Sequence, residues 1–261
     1  MKLGRVVFTA YVGLFFAGLY VPIALLIGLG FNSGSRVYVW EGFTFENYGV
    51  VLRIPSYTSA FSSSILIALG TTGFSVILGT LAGLSAARRT SGRFELLWSA
   101  LVLLPLIVPE IVESLSIFLF YRVLHIPLGT GATIIGHTVF SVSFVALIVR
   151  ARMADFGKAY EEASMVLGAG RMITFANVLL PMAAPAVIAG GFLAFAASFD
   201  DVIKSAFTTT PASRTLPIVI FAEASRGGIS TSLAALSALM VAISISSALA
   251  RVLVERRLSR R

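Results

Sequence analysis

Six runs of about twenty mostly apolar residues occupy most of this chain, and no other feature restricts its fold so strongly. A helix needs about 20 such residues to cross the hydrocarbon core of a bilayer. The runs fall at 7–30, 59–86, 96–120, 131–150, 182–203 and 231–253. In lipid, backbone polar groups find no water and must be satisfied within their own segment, so spans of this length are helices. No strand-like alternation competes with that reading. Only 12% of the 261 residues are charged, against 57% hydrophobic, where soluble domains carry about 25% charged. The expected fold class is all-α integral membrane, a single transmembrane domain over 1–261 with six transmembrane helices.

Lys2 and Arg5 precede the first run, as basic residues precede the core of a signal peptide. That run continues through Phe31 without a small-residue cleavage site, too long for a signal segment, and reads as a retained anchor. The chain has no cysteine, so disulfides and thiolate metal sites are excluded. The formal charge of +8 would suggest nucleic acid in a soluble protein. Here the basic residues divide across the membrane instead. With the N-terminus inside, Lys2, Arg5, Arg88, Arg89, Arg93, Arg150, Arg152, Lys158, Arg171, Arg251, Arg256, Arg257, Arg260 and Arg261 lie on the inner side. Arg36, Arg53, Arg122, Lys204, Arg214 and Arg226 lie outside. This excess inside predicts that both termini are cytoplasmic, with no nucleic-acid partner. Tyr38, Trp40 and Tyr48, in the outer loop 31–58, suit an interfacial aromatic belt.

The topology puts 151–181 in a long cytoplasmic loop between spans four and five. Within it FGKAYEEASMVL, from Phe156 to Leu167, is rich in helix formers, and Tyr160, Ala163 and Leu167 share one helical face. Gly168 is placed to end that helix. A second short helix is expected near Arg171 to Val178, stopping before Pro181 where the chain returns to the membrane. Such a helix–turn–helix could fit a partner's groove, or it could rest on lipid headgroups as an amphipathic surface helix.

Glu162-Ala163-Ser164, three residues, Gly168, nine residues, Val178, one residue and Leu180-Pro181 resemble the EAA loop of ABC-importer permeases. That pattern runs Glu-Ala-Ala, three, Gly, nine, Ile, one, Leu-Pro; here Ser164 and Val178 are the two departures. The resemblance implies a type I ABC importer transmembrane domain in the bacterial inner membrane, whose loop is a coupling helix docked in a cleft of a cytoplasmic ATPase. Glu162, Ala163, Ser164, Leu180 and Pro181 would then belong to the ATPase-coupling loop and Gly168 would make its bend, with Glu161 either sharing the polar contacts or simply solvated. The chain has no GxxxxGK[ST] phosphate loop, since Gly157-Lys158 lacks the upstream glycine and the hydroxyl residue. No cofactor is expected in this chain; ATP and magnesium would be bound by the partner ATPase.

FNSGSRVYVWEGFTFENY, LPLIVPEIVESLSIF and SFDDVIKSAFTTTPASRTLP are similar to segments of spermidine/putrescine-type permeases. This likeness implies the second permease subunit of such a system. Its partners would be a homologous permease in a heterodimer, two copies of the ATPase, a periplasmic substrate-binding protein and the surrounding lipids.

Four acids lie in or at the edge of spans: Glu110, Glu113, Asp200 and Asp201. A carboxylate at the bilayer centre costs about 2.5–3.5 kcal/mol on insertion scales, so it faces a cavity or a partner. The functional reading is a negatively lined route for a cationic solute; the alternative for the aspartates is a short-range ion pair with Lys204. Pro105 and Pro109 are placed to kink or break span three. His137 suits a helix-packing hydrogen bond, and Gly70, Gly73, Gly79 and Gly83 suit close helix packing. Related permeases for opines, aminophosphonates, thiamine or iron share this architecture, so the solute is left open. An ion- or proton-coupled secondary transporter would use the acids but leave the loop unexplained. A membrane enzyme is disfavoured by two histidines and the lack of HExxH and GxSxG.

Overall fold

A computed structural model describes residues 2–88, 92–226 and 228–258. Arg89, Arg260 and Arg261, counted above on the inner side, lie outside the described residues, as do the side chains of Lys2, Arg256 and Arg257. In chain order the helices are α1 (Lys2–Leu29), α2 (Glu46–Val51), α3 (Pro55–Ala87), α4 (Arg93–Ile107), α5 (Glu110–Val123) and α6 (Thr130–Ala154). There follow α7 (Ala159–Val166), α8 (Arg171–Thr174), a π-helical stretch (Phe175–Leu179), α9 (Leu180–Phe199), α10 (Ile203–Thr208), α11 (Leu216–Ser225) and α12 (Thr231–Leu258). Among the described residues β-pairing is confined to two isolated bridges, Asn32 with Phe43 and Arg36 with Ser230.

Among the described residues five helical segments are long and apolar enough to span a membrane, and α4 with α5 forms a sixth only if that bent pair counts as one span. The expected span 96–120, with its two prolines placed to kink or break it, is two helices meeting at 108°. The break falls at Pro109 and not at Pro105, which sits inside α4. A residue before proline is pushed out of the helical region, and Val108 is extended at φ −67°, ψ 133°. With 15 and 14 residues, each half is about 20 Å long, short of the ~30 Å hydrocarbon core.

The chain divides into two compact units. One comprises Met1–Ser59 and Val219–Ile243. Here α1 is apolar all round with none of its membrane-length window buried. The loop after it is folded around Asn32, whose amide donates to the Arg36 and Val39 carbonyls (3.2 and 2.7 Å) while its oxygen accepts from Gly34 and Glu41 N–H (3.2 and 3.0 Å). Tyr38 and Trp40 are exposed, as an aromatic belt requires, whereas Tyr48 turns inward onto Phe31, with ring centroids 4.9 Å apart.

The other unit comprises Ala60–Ile218 and Ser244–Arg261. Its centre is the packing of α6 on α9, through Val145, Val149, Met153, Ala183, Ala186 and Ala194. Small residues let α3 approach α6 closely: a Cβ on Gly79 would lie 2.6 Å from Val145 Cβ, and one on Gly83 2.6 Å from the Ala146 carbonyl. Gly70 faces Ile134 at 2.8 Å, while Gly73 faces open space. Packing is thus a reason for three of those four glycines. α4 lies on α6 through Trp98 and Val102, and the Trp98 indole donates to the Ala82 carbonyl at 3.1 Å.

Candidate functional site

The segment between α6 and α9 builds the first candidate site. α6 runs on to Ala154, and α7 covers Ala159–Val166. Leu167 caps α7, and Gly168 follows at φ +88°, a left-handed conformation that glycine adopts without Cβ strain. Gly168 N–H reaches the Met165 carbonyl (3.0 Å) and Ala169 N–H the Ser164 carbonyl (3.1 Å). These are the two bonds of a Schellman cap, which satisfies carbonyls the helix end would leave orphaned.

Two side-chain links fix α7. Arg88, just past α3, forms an ion pair with Glu161 and also donates to the Phe156 carbonyl at 2.9 Å. The Ser164 hydroxyl lies 3.0 Å from that of Thr174, which is buried in α8. Glu161 is thus engaged within the chain, and Ser164, one of the two departures from the EAA pattern, makes a bond that alanine could not. No residue of α7 is buried. Glu162 and Ala163 face outward, as do Val166 and Leu167, the latter 88% exposed.

The expected stop before Pro181 is not found. α8, the π stretch and α9 form one apolar segment from Arg171 to Phe199. The π register explains how the helix passes the proline. Leu180 N–H bonds to the Phe175 carbonyl five residues back, and Pro181 then falls in the first turn of α9, where its missing N–H costs little. The loop between membrane helices is therefore 155–170, shorter than 151–181, and Leu180 and Pro181 belong to the following helix.

The second candidate site gathers three of the four acids around one cation. Glu110 and Glu113 occupy the first turn of α5, where carboxylates are favoured by the helix dipole. Lys204 of α10 donates to Glu110 Oε1 at 2.7 Å and lies 3.4 Å from Glu113 Oε2 and 3.8 Å from Asp201 Oδ2. Its ammonium also sits over the Phe140 ring, 4.3 Å from the centroid. The Lys204 side chain is 2% exposed and Glu110 44%, so the cluster opens on the Glu110 side. Asp201 Oδ1 accepts from Ser205 N–H (2.8 Å) and lies 3.3 Å from His137 Nε2; His137 Nδ1 pairs with Ser198 Oγ at 2.8 Å. Asp200 stands apart, accepting from Ser244 Oγ at 2.8 Å. Sequence reasoning reached Lys204 only as a neighbour of the aspartates, and it missed Arg88, Thr174 and Phe140. An amine 94 positions from Glu110 carries no local pattern that would betray the pair. Among the described residues no cluster of His, Cys, Asp or Glu could hold a metal ion.

Residues 75–260 match the family described as binding-protein-dependent transport system inner membrane component. The chain is 33% identical over 232 residues to the putrescine transport system permease protein PotI of Escherichia coli (strain K12), covering 87% of this chain and 82% of that one. It is 30% identical over 254 residues to the spermidine/putrescine transport system permease protein PotC of the same organism, covering 97% and 96%. Its fold is similar to that in a solved bacterial ABC transporter involved in the import of the acidic polysaccharide alginate, with a TM-score of 0.73 at 16% identity, covering 98% of this chain and 96% of that one. The MetNI methionine ABC transporter is also similar, with a TM-score of 0.67 at 19% identity over 78% of this chain and 97% of that one.

Proposed function

The chain belongs to the binding-protein-dependent transport system inner membrane components, and from that premise we propose that it imports a polyamine, driven by an ATPase docked on α7. It is a multi-pass permease subunit of an ABC importer in the inner membrane, a transport subunit and not an enzyme. The family works with an ATPase and a substrate-binding protein. In our reading two ATPase copies hold ATP and magnesium. A homologous permease completes a heterodimer, a periplasmic binding protein delivers the solute, and both termini are cytoplasmic.

One observation carries the coupling role. α7 buries none of its own residues, yet it is held at both ends of its length by Arg88–Glu161 and Ser164–Thr174. A helix that short gains nothing from a core of its own and is marginal in isolation. Pinned to the ends of α3 and α8, it can pass a push from outside into the membrane helices. Glu162, Ala163 and the exposed Val166 and Leu167 form the face that meets the ATPase. ATP-driven closure of the ATPases moves this face, and the spans then open the route alternately to each side.

A cationic solute is supported by three carboxylates gathered on one amine site, and by relatives named for putrescine and spermidine. The docking role is tested by Glu162→Lys in cells that co-express the ATPase. The expected result is loss of ATPase co-purification while the permease still inserts in the membrane. Normal co-purification and normal uptake would refute it.

A further inference from the structure

The carboxylate cluster holds a lysine ammonium in the place that the amine of a cationic solute would take. We propose that Lys204 is a tethered ammonium occupying an amine-binding site, and that a primary ammonium of the solute displaces it. The proposal rests on the cationic-solute reading and names the residues that admit the cation.

Three observations support it. The Lys204 ammonium is surrounded by Glu110, Glu113, Asp201 and the face of Phe140. Carboxylates with one aromatic face are the chemistry that recognises an alkylammonium, through charge-assisted hydrogen bonds and the ring quadrupole. Second, Lys204 leaves the site unsatisfied. Glu113 is buried, and neither of its oxygens makes a well-aligned hydrogen bond; its contact with Lys204 is an ion pair at 3.4 Å. Glu110, Glu113 and Asp201 share this one ammonium, and buried charge that is incompletely paired is costly. Third, the cluster is open on one side of this chain, since Glu110 is 44% exposed although Lys204 is 2% exposed.

An ammonium arriving at Glu110 can pass to Glu113 and Asp201 as Lys204 withdraws. A mobile amine is free to approach Glu113 more closely than a side chain anchored in α10. His137 and Ser205 hold the other oxygen of Asp201, so that carboxylate keeps one face toward the amine. A neutral solute has no charge with which to displace Lys204 and is refused.

The test uses Lys204→Ala and the isosteric neutral Lys204→Gln in the assembled transporter, with companion permease and ATPase present. Binding of radiolabelled putrescine is measured without the binding protein, and thermal unfolding is followed with n-butylammonium or neutral n-butanol. We expect putrescine to bind both variants about ten-fold more tightly than wild type. Butylammonium, and not butanol, should raise their unfolding midpoint. Glu113→Gln added to Lys204→Ala should abolish both gains. If Lys204→Ala does not assemble, butylammonium supplied during expression should restore assembly. Lack of any response to the amine, or an equal response to butanol, would overturn the proposal. Putrescine uptake by the wild-type assembly reports separately on the solute. Butylammonium rescue without putrescine uptake would sink the polyamine reading and leave the amine site standing. Uptake without rescue would do the reverse.

Discussion

Replacing Gly168 by residues with a Cβ should uncouple the transporter in a graded order. Its φ of +88° lies in the left-handed region, which costs a β-carbon-bearing residue about 1–2 kcal/mol. A Cβ there would meet no heavy atom within 4 Å, so the cost is conformational and not a clash with neighbours. Asparagine tolerates this conformation better than alanine, and a β-branched valine tolerates it worst. The helix that Gly168 caps has eight residues and none buried, so no core holds it against the loss. A cost of 1–2 kcal/mol lowers the population of the capped form by about 5- to 30-fold. The assay is ATPase activity stimulated by loaded binding protein, in the assembled complex. Activity should fall in the order Gly, Asn, Ala, Val, with insertion of the permease unchanged. Equal stimulation across the four would refute the cap argument.

Further outcomes follow from other contacts. Gly83→Ala places a Cβ 2.6 Å from the Ala146 carbonyl, whereas Gly73→Ala meets nothing within 4 Å; the first should lower the unfolding midpoint in detergent by the equivalent of about 1–3 kcal/mol, and the second should leave it near wild type. Arg88→Gln should weaken stimulated ATPase more than Glu161→Gln, because Arg88 also holds the Phe156 carbonyl at 2.9 Å; the reverse order would deny Arg88 its anchoring part. Asp201→Asn should reduce uptake of a cationic solute more than Asp200→Asn, since Asp201 faces Lys204 and His137 while Asp200 binds Ser244. If neither variant changes uptake, the negatively lined route is wrong.

Sequence revealed what depends on local chemistry. Apolar runs of membrane length gave the helices, and Pro105 with Pro109 marked span three for a kink or break, since proline constrains its own neighbour; that the break falls at Pro109 came only from the structure. Gly168 was legible for the same reason: a glycine just past a helix former run is the residue that can take positive φ. Pro181 misled, because a proline reads as a helix stop, and a π stretch that shifts the hydrogen-bond register by one residue leaves no mark in composition. The 108° between α4 and α5 is likewise not legible in the prolines, which mark where a helix can break and not by how much it turns. Arg88 with Glu161, and Lys204 with Glu110, join residues far apart in the chain, so only the fold could pair them.

Coupling through α7, as proposed, requires that this permease be driven by an ATPase and not work alone. The most direct measurement is putrescine uptake into liposomes carrying the chain, its companion permease and the ATPase, with binding protein outside the periplasmic face and ATP on the other. Uptake that requires ATP, the ATPase and the binding protein together, and that disappears with Glu162→Lys, is the predicted result. Uptake by the permease without any ATPase, driven by an ion gradient, would contradict it.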